Sequence, residues 1–184
     1  FFDEQELQAD RQRLAAFYAN HGYLDFAITD IQREYSDNNK WVSITIHIKE
    51  GPQYTVDEIN LAGNKKFGAD ELRPLLTLEK GDIYRPRTVS KDIQAIRSEY
   101  NPFGYIDLNV RPALAKDPAT KTVDVTYDIQ EGTPARIRDI TIIGNEVTKD
   151  EVIRRELRIL PGDPANREKI ATSEAVLKNL RYFE

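Results

Sequence analysis

Apolar and polar residues alternate strictly in several short stretches of the chain. Val42, Ile44, Ile46 and Ile48 form one such row. Ile106, Leu108 and Val110, interleaved with Asp107, Asn109 and Arg111, form a second, and Val123, Val125, Tyr127 and Ile129 form a third. A period of two is the signature of a half-buried strand. Tyr54–Ala62 is also β-rich, but the step from Val56 to Ile59 breaks the alternation. The same break recurs at Ile137, Ile140 and Ile142, within a strand expected over Ile137–Ile143, and predicts a bulge or a late strand start. Between these stretches the period becomes helical. Val89, Ile93, Ile96 and Tyr100 share one face of a predicted helix, as do Leu7, Leu14, Phe17 and Tyr18. Shorter helices are predicted at Ala69–Leu76 and Lys149–Arg158, and a longer one at Arg167–Leu180.

The pattern repeats. Gly132, Gly144 and Gly162 each stand 81 positions after Gly51, Gly63 and Gly81, and Gly104-Tyr105 stands 82 after Gly22-Tyr23. A period this long describes a small α+β module rather than a solenoid rung. The complete copy, residues 53–132, reads strand, helix, helix, strand, strand. Residues 1–52 repeat its second half and residues 133–184 its first half. The layer solution is a small mixed sheet with a helical pair on one face. A repeat array of this kind presents surfaces to partners, and a single buried catalytic pocket is not expected.

The 184 residues hold no Cys, which removes disulfides and cysteine metal sites. A formal charge of −5 is the wrong sign for a non-specific nucleic-acid binder. No apolar run approaches the roughly 20 residues of a membrane helix. The start, Phe1-Phe2-Asp3, falls mid-pattern, as expected of a piece of a longer chain.

A unit with Glu-Gly before its first strand, Gly-Asn after it and Gly-Tyr before its penultimate strand resembles the POTRA module. The neighbouring sequence makes the resemblance more specific. Leu14-Ala15-Ala16-Phe17-Tyr18-Ala19-Asn20-His21-Gly22-Tyr23 resembles the second helix and turn of the third POTRA of the Omp85-family assembly factors. Ile137–Asn145 with Arg154-Arg155-Glu156-Leu157-Arg158 resembles the start of the last one. The resemblance therefore implies tandem POTRA modules: the second half of POTRA 3, all of POTRA 4 and the first half of POTRA 5. It also implies a scaffold at the periplasmic face of the bacterial outer membrane. Its partners would be unfolded outer-membrane proteins, accessory lipoproteins and its own C-terminal β-barrel. Two positions depart from the pattern. Arg181, before Tyr182, stands where the other copies have Gly, and Pro161 stands where some relatives carry an acid.

In that family the penultimate strand lies at a sheet edge, which here implies Tyr105–Pro112 and Asp25–Tyr35. Unpaired N–H and C=O groups along such an edge accept any extended chain. Tyr105, Ile106, Asp107, Leu108, Asn109, Val110 and Arg111 are the candidate client-binding residues. Against this reading, Pro112 removes a donor, and Asp107 and Arg111 discourage self-pairing. Arg154, Arg155 and Arg158 follow Asp150-Glu151 and form a candidate docking helix for a lipoprotein. The same charges suit a helix dipole, with Glu151 pairing to Arg154 or Arg155. From Pro134 onward there are 10 basic and 9 acidic residues, so this segment is slightly positive in an acidic chain.

His21 and His47 stand apart from any convergent ligands or triad, so no catalytic residue, cofactor or metal is expected. Tyr18/Tyr23 and Tyr100/Tyr105 are placed for helix-on-sheet packing. Phe103, in a turn, is a candidate exposed ring. Two other readings remain open: a POTRA array of a two-partner secretion or organellar import pore, and a small hydrolase using surface carboxylates.

Overall fold

A computed structural model describes residues 3–36, 40–146 and 148–179. The element order is α1 (Glu4–Ala19), β1 (Ala27–Tyr35), β2 (Val42–Lys49), β3 (Thr55–Ala62), α2 (Ala69–Leu72), α3 (Pro86–Tyr100), β4 (Asn109–Asp117), β5 (Thr122–Gln130), α4 (Asp150–Arg154) and α5 (Arg167–Asn179). One 3-10 turn, Arg73–Leu75, continues α2, and another, Asn101–Phe103, follows α3. Arg181 and Tyr182, where the sequence departs from the repeat, lie outside the described residues, as does Leu180.

The central three strands form one sheet in the order β3-β5-β4. β3 and β5 run parallel: Thr55 N–H donates to the Lys121 carbonyl at one end, and Gly63 lies against the Ile129 carbonyl at the other. β4 and β5 are joined by a four-residue turn, so the sheet is mixed, as the strand-helix-helix-strand-strand order requires. The alternating row of β5 is the best-buried part of the molecule. Val123, Val125 and Tyr127 are fully enclosed, and Ile129 nearly so. Val89, Ile96 and Tyr100 of α3 are buried as the helical stripe predicts. Each such side chain contributes about 1.5–3 kcal/mol.

The same stripe of α3 carries a residue that the apolar pattern hides. Asp92 is fully buried, three positions after Val89 and four before Ile96. It accepts hydrogen bonds from Thr77 N–H (2.7 Å), Thr77 hydroxyl (2.7 Å), Leu78 N–H (3.2 Å) and Tyr127 hydroxyl (2.6 Å). A buried carboxylate is tolerable only with such donors around it. Burial, and then the bond to Asp92, push the Tyr127 hydroxyl well above the usual phenol range.

The chain divides into two compact units. The first comprises Phe1–Asn60, Thr77–Asp92 and Pro112–Tyr127; the second comprises Leu61–Leu76, Ile93–Arg111 and Asp128–Glu184. Each takes part of the 53–132 stretch.

In the first unit, β1 pairs antiparallel with β2, with a register shift between Ile28 and Asp30. Ile44, Ile46 and Ile48 are expected to face inward, yet they are 37–40% exposed. This sheet has two strands among the described residues, and α1 buries only Leu7. Phe17, placed on the apolar face by its spacing, is 57% exposed and lies on His21 at 4.3 Å between ring centroids.

The second unit holds three departures from the sequence pattern. Tyr105–Leu108, expected as strand, are turn. Gly104 adopts φ +83°, Ile106 N–H returns to the Gly104 carbonyl and Leu108 N–H to that of Tyr105. Amides committed locally cannot join a ladder, so β4 starts at Asn109. Ile137–Ile143 likewise forms no strand; an isolated bridge, Arg136 to Pro164, lies just before it, and it has no neighbouring strand among the described residues. α4 ends at Arg154 rather than Arg158, because the next residues close tighter turns: Glu156 N–H bonds to Ile153 and Leu157 N–H to Arg154.

Candidate strand-addition edge and the joints that carry it

The repeat is built around glycines at its joints. Gly51 and Gly132 have φ +75° and +72°, a region that favours residues without a Cβ. A Cβ on Gly51 would meet Asp25 at 2.9 Å, and one on Gly132 would meet Asp107, the equivalent residue, at 3.2 Å. The preceding glutamates act alike: Glu50 accepts the Tyr18 hydroxyl at 3.0 Å and Glu131 accepts that of Tyr100 at 2.8 Å.

Backbone bonds repeat with them. Tyr54 N–H reaches the Gly22 carbonyl, and Ala135 N–H that of Gly104. Gly81 N–H donates to Val56, and Gly162 N–H to Ile137. These pairings hold the segment after each joint in the same place, and in the first copy it continues into β3.

The electrostatics of the joints are those of satisfied structural groups. Burial pushes the Glu131 carboxyl up, but the N–H groups of Lys66 and Lys65 and the Tyr100 hydroxyl outweigh it and hold the group below its usual range. Lys116 and then Tyr54 hold Asp25 low in the same way. In return the bond to Asp25 helps push the Tyr54 hydroxyl up to about 12. These carboxyls are held ionised, the opposite of the tuning a general acid needs. His21 Nδ1 lies 2.7 Å from the Phe17 carbonyl in its own helical turn.

The two outer strands of the central sheet differ. The outer side of β3 is covered at its start: Val56 N–H bonds to Asp82, Gly81 N–H to Val56 and Tyr84 N–H to Tyr54. β4 has β5 on one side and, among the described residues, no strand on the other. Of the seven residues expected on this edge, Asn109, Val110 and Arg111 lie on β4, while Tyr105, Ile106, Asp107 and Leu108 form the turn leading into it. The sequence also ended the edge too early. β4 continues through Pro112 to Asp117, with Leu114 41% exposed, because Lys116 and Asp117 remain extended until the turn at 118–121. The second expected edge, Asp25–Tyr35, is strand from Ala27.

Arg154 donates to Asp150 at 2.6 Å and to the Ile140 carbonyl at 2.9 Å. Arg155 pairs with Glu156, so the expected pairing with Glu151 is replaced by both neighbouring acids. Arg158 lies beyond α4, with its N–H on the Ser173 hydroxyl. The three arginines thus do not share one helix.

The repeat has a known counterpart. The family model for POTRA, described as a surface antigen variable number repeat, matches residues 1–51, 54–132 and 135–184. The chain belongs to the POTRA family.

Its POTRA repeats are similar to those of the outer membrane protein assembly factor BamA of Neisseria meningitidis, at 32% identity over the whole of this chain and 23% of that protein. A putative outer membrane protein assembly factor of Treponema pallidum is 30% identical over 99% of this chain and 22% of its own length. The chain spans about a quarter of the length of the curated relatives it matches. Among solved structures, POTRA 3–5 of Haemophilus influenzae BamA superposes with a TM-score of 0.80 and 28% identity, covering 100% of this chain and 73% of that one. The mixed sheet with its helices is the POTRA fold.

Proposed function

We propose that this chain is part of a periplasmic scaffold for outer-membrane protein assembly, with POTRA modules at 1–52, 53–132 and 133–184. It takes extended segments of unfolded outer-membrane proteins along the open side of β4 and passes them toward a C-terminal β-barrel. The observation that supports this reading is the sheet order, which gives β4 a single neighbour among the described residues, in a chain whose relatives are named assembly factors. Strand addition uses backbone groups, so it tolerates varied client sequences and stays weak and reversible. Pro112 offers no N–H, which limits how continuous the pairing is. Arg154, Arg155 and Arg158 are proposed as the docking surface of an accessory lipoprotein.

A spin-labelled peptide copied from an outer-membrane barrel strand tests the first part. It should broaden amide signals along Asn109–Asp117; broadening confined to α2 and α3 would overturn the reading. Charge reversal at Arg154 and Arg155 together should weaken capture of the lipoprotein. Unchanged capture would remove the docking proposal.

A further inference from the structure

A cleft of about 590 Å³ opens at the start of β4. Gln94 and Arg97 of α3, with Asn101 of the turn that follows it, form one wall, Leu108 and Asn109 another, and Arg167 with Glu168 of α5 the third. Of the strands only β4 contributes to the lining, through its first residue, Asn109, so a chain laid along β4 ends at this cleft.

Two cations in it are incompletely used. Arg97 makes no hydrogen bond or ion pair among the described residues, and its Nε is buried without a partner. Arg167 donates its Nε to the Ile106 carbonyl at 2.6 Å, which fixes its side chain and leaves its terminal nitrogens free of partners among the described residues. Acids stand nearby, yet neither pairs with them: Glu168 accepts the Ser98 hydroxyl at 3.0 Å, and Asp107 takes no ion pair among the described residues. Arg97 is half-buried and Arg167 exposed, and a half-buried guanidinium left unpaired is a selective receptor for a planar carboxylate.

The first repeat supplies an internal control. A smaller hollow of about 280 Å³ lies in the equivalent place, between α1 and the start of β1. Gln12 there matches Gln94 and Ala27 matches Asn109, but Ala15 stands where the second copy has Arg97. The groove recurs, and the partnerless arginine is particular to one copy.

We infer that Arg97, with Arg167, selects an aspartate or glutamate side chain in the segment that lies along β4. Arg97 is thereby a specificity-determining residue. This rests on the strand-addition reading above. A strand laid on β4 continues past Asn109 into the cleft, where an acidic residue meets a cation already held in place by packing. The preference is local, because Asp107 and Glu168 balance the two arginines, and it weakens as salt rises.

The test uses the full chain and two blocked Thr/Val octapeptides that differ in one terminal residue, Glu or Gln. The Glu peptide should bind about tenfold more tightly at low salt, the scale of one charge-assisted hydrogen bond. It should also shift the Arg97 guanidinium resonance, and Arg97→Gln should abolish the difference while the β4 amides still respond. Arg97 has no partner to lose, so the variant should keep the melting temperature of the parent. Equal binding of the two peptides, with shifts along β4, would overturn this inference and leave strand addition standing. No response along β4 with either peptide would sink both.

Discussion

The two copies of the joint share a backbone scheme and fill it differently. In each, a glutamate accepts a tyrosine hydroxyl, a positive-φ glycine packs on an aspartate, and the segment that follows makes the same four amide bonds. The side chains diverge around that frame. Tyr54 of the first copy is fully buried and bonded to Asp25, whereas Ala135 takes its position in the second. The strap from the turn after the first helix to the second helix is also built twice. In one copy Asp92 gathers four donors; in the other Ser173 accepts a single N–H, from Arg158, and donates to Lys169. Glycine spacing sets the repeat, and side chains set how firmly each copy is tied.

Asp92→Ala should produce the largest loss, about 3–5 kcal/mol by chemical denaturation, since it strands buried donors of Thr77, Leu78 and Tyr127. Gly104→Ala should cost about 2–4 kcal/mol, because its Cβ would meet the Ala135 carbonyl at 2.3 Å in a left-handed backbone. Gly22→Ala should cost less, about 1–2 kcal/mol, since the closest obstacle is the Ile83 side chain, which can yield. Equal losses at the two glycines would break the account of how the joints differ. Ser173→Ala should cost only about 1 kcal/mol, the value of one hydrogen-bonded strap.

The pH dependence should be smallest near neutrality. Asp25 and Glu131 are held below their ordinary values of 3.8 and 4.5, so their contribution is present above those values and is lost as pH falls below them. The raised Tyr54 hydroxyl works in the other direction. Its contribution is complete below its ordinary value of 10 and fades as pH rises toward about 12. Melting temperature against pH, read beside tyrosinate absorbance, should show both limbs.

Much of this was legible in the sequence. Period-two rows located β2 and β5, helical stripes located α1 and α3, and an offset of 81 aligned Gly51 with Gly132. The misses have physical causes. Tyr105–Leu108 alternates like a strand, but Gly104 commits the following amides to local turns. Ile137–Ile143 has strand composition without a neighbour to pair with among the described residues. Asp92 reads as a surface charge until its place on the Val89–Ile96–Tyr100 stripe is counted. Arg97 gives no signal in the sequence, because lacking a partner is a property of the folded site.

Strand addition on β4 is tested most directly by amide hydrogen exchange of the full chain with and without a saturating barrel-strand peptide. The β4 amides not bonded to β5, between Asn109 and Asp117, should exchange about tenfold more slowly with peptide present, while β3 and α3 stay unchanged. Exchange along β4 that is indifferent to bound peptide, or protection that appears only on the helices, would contradict the account.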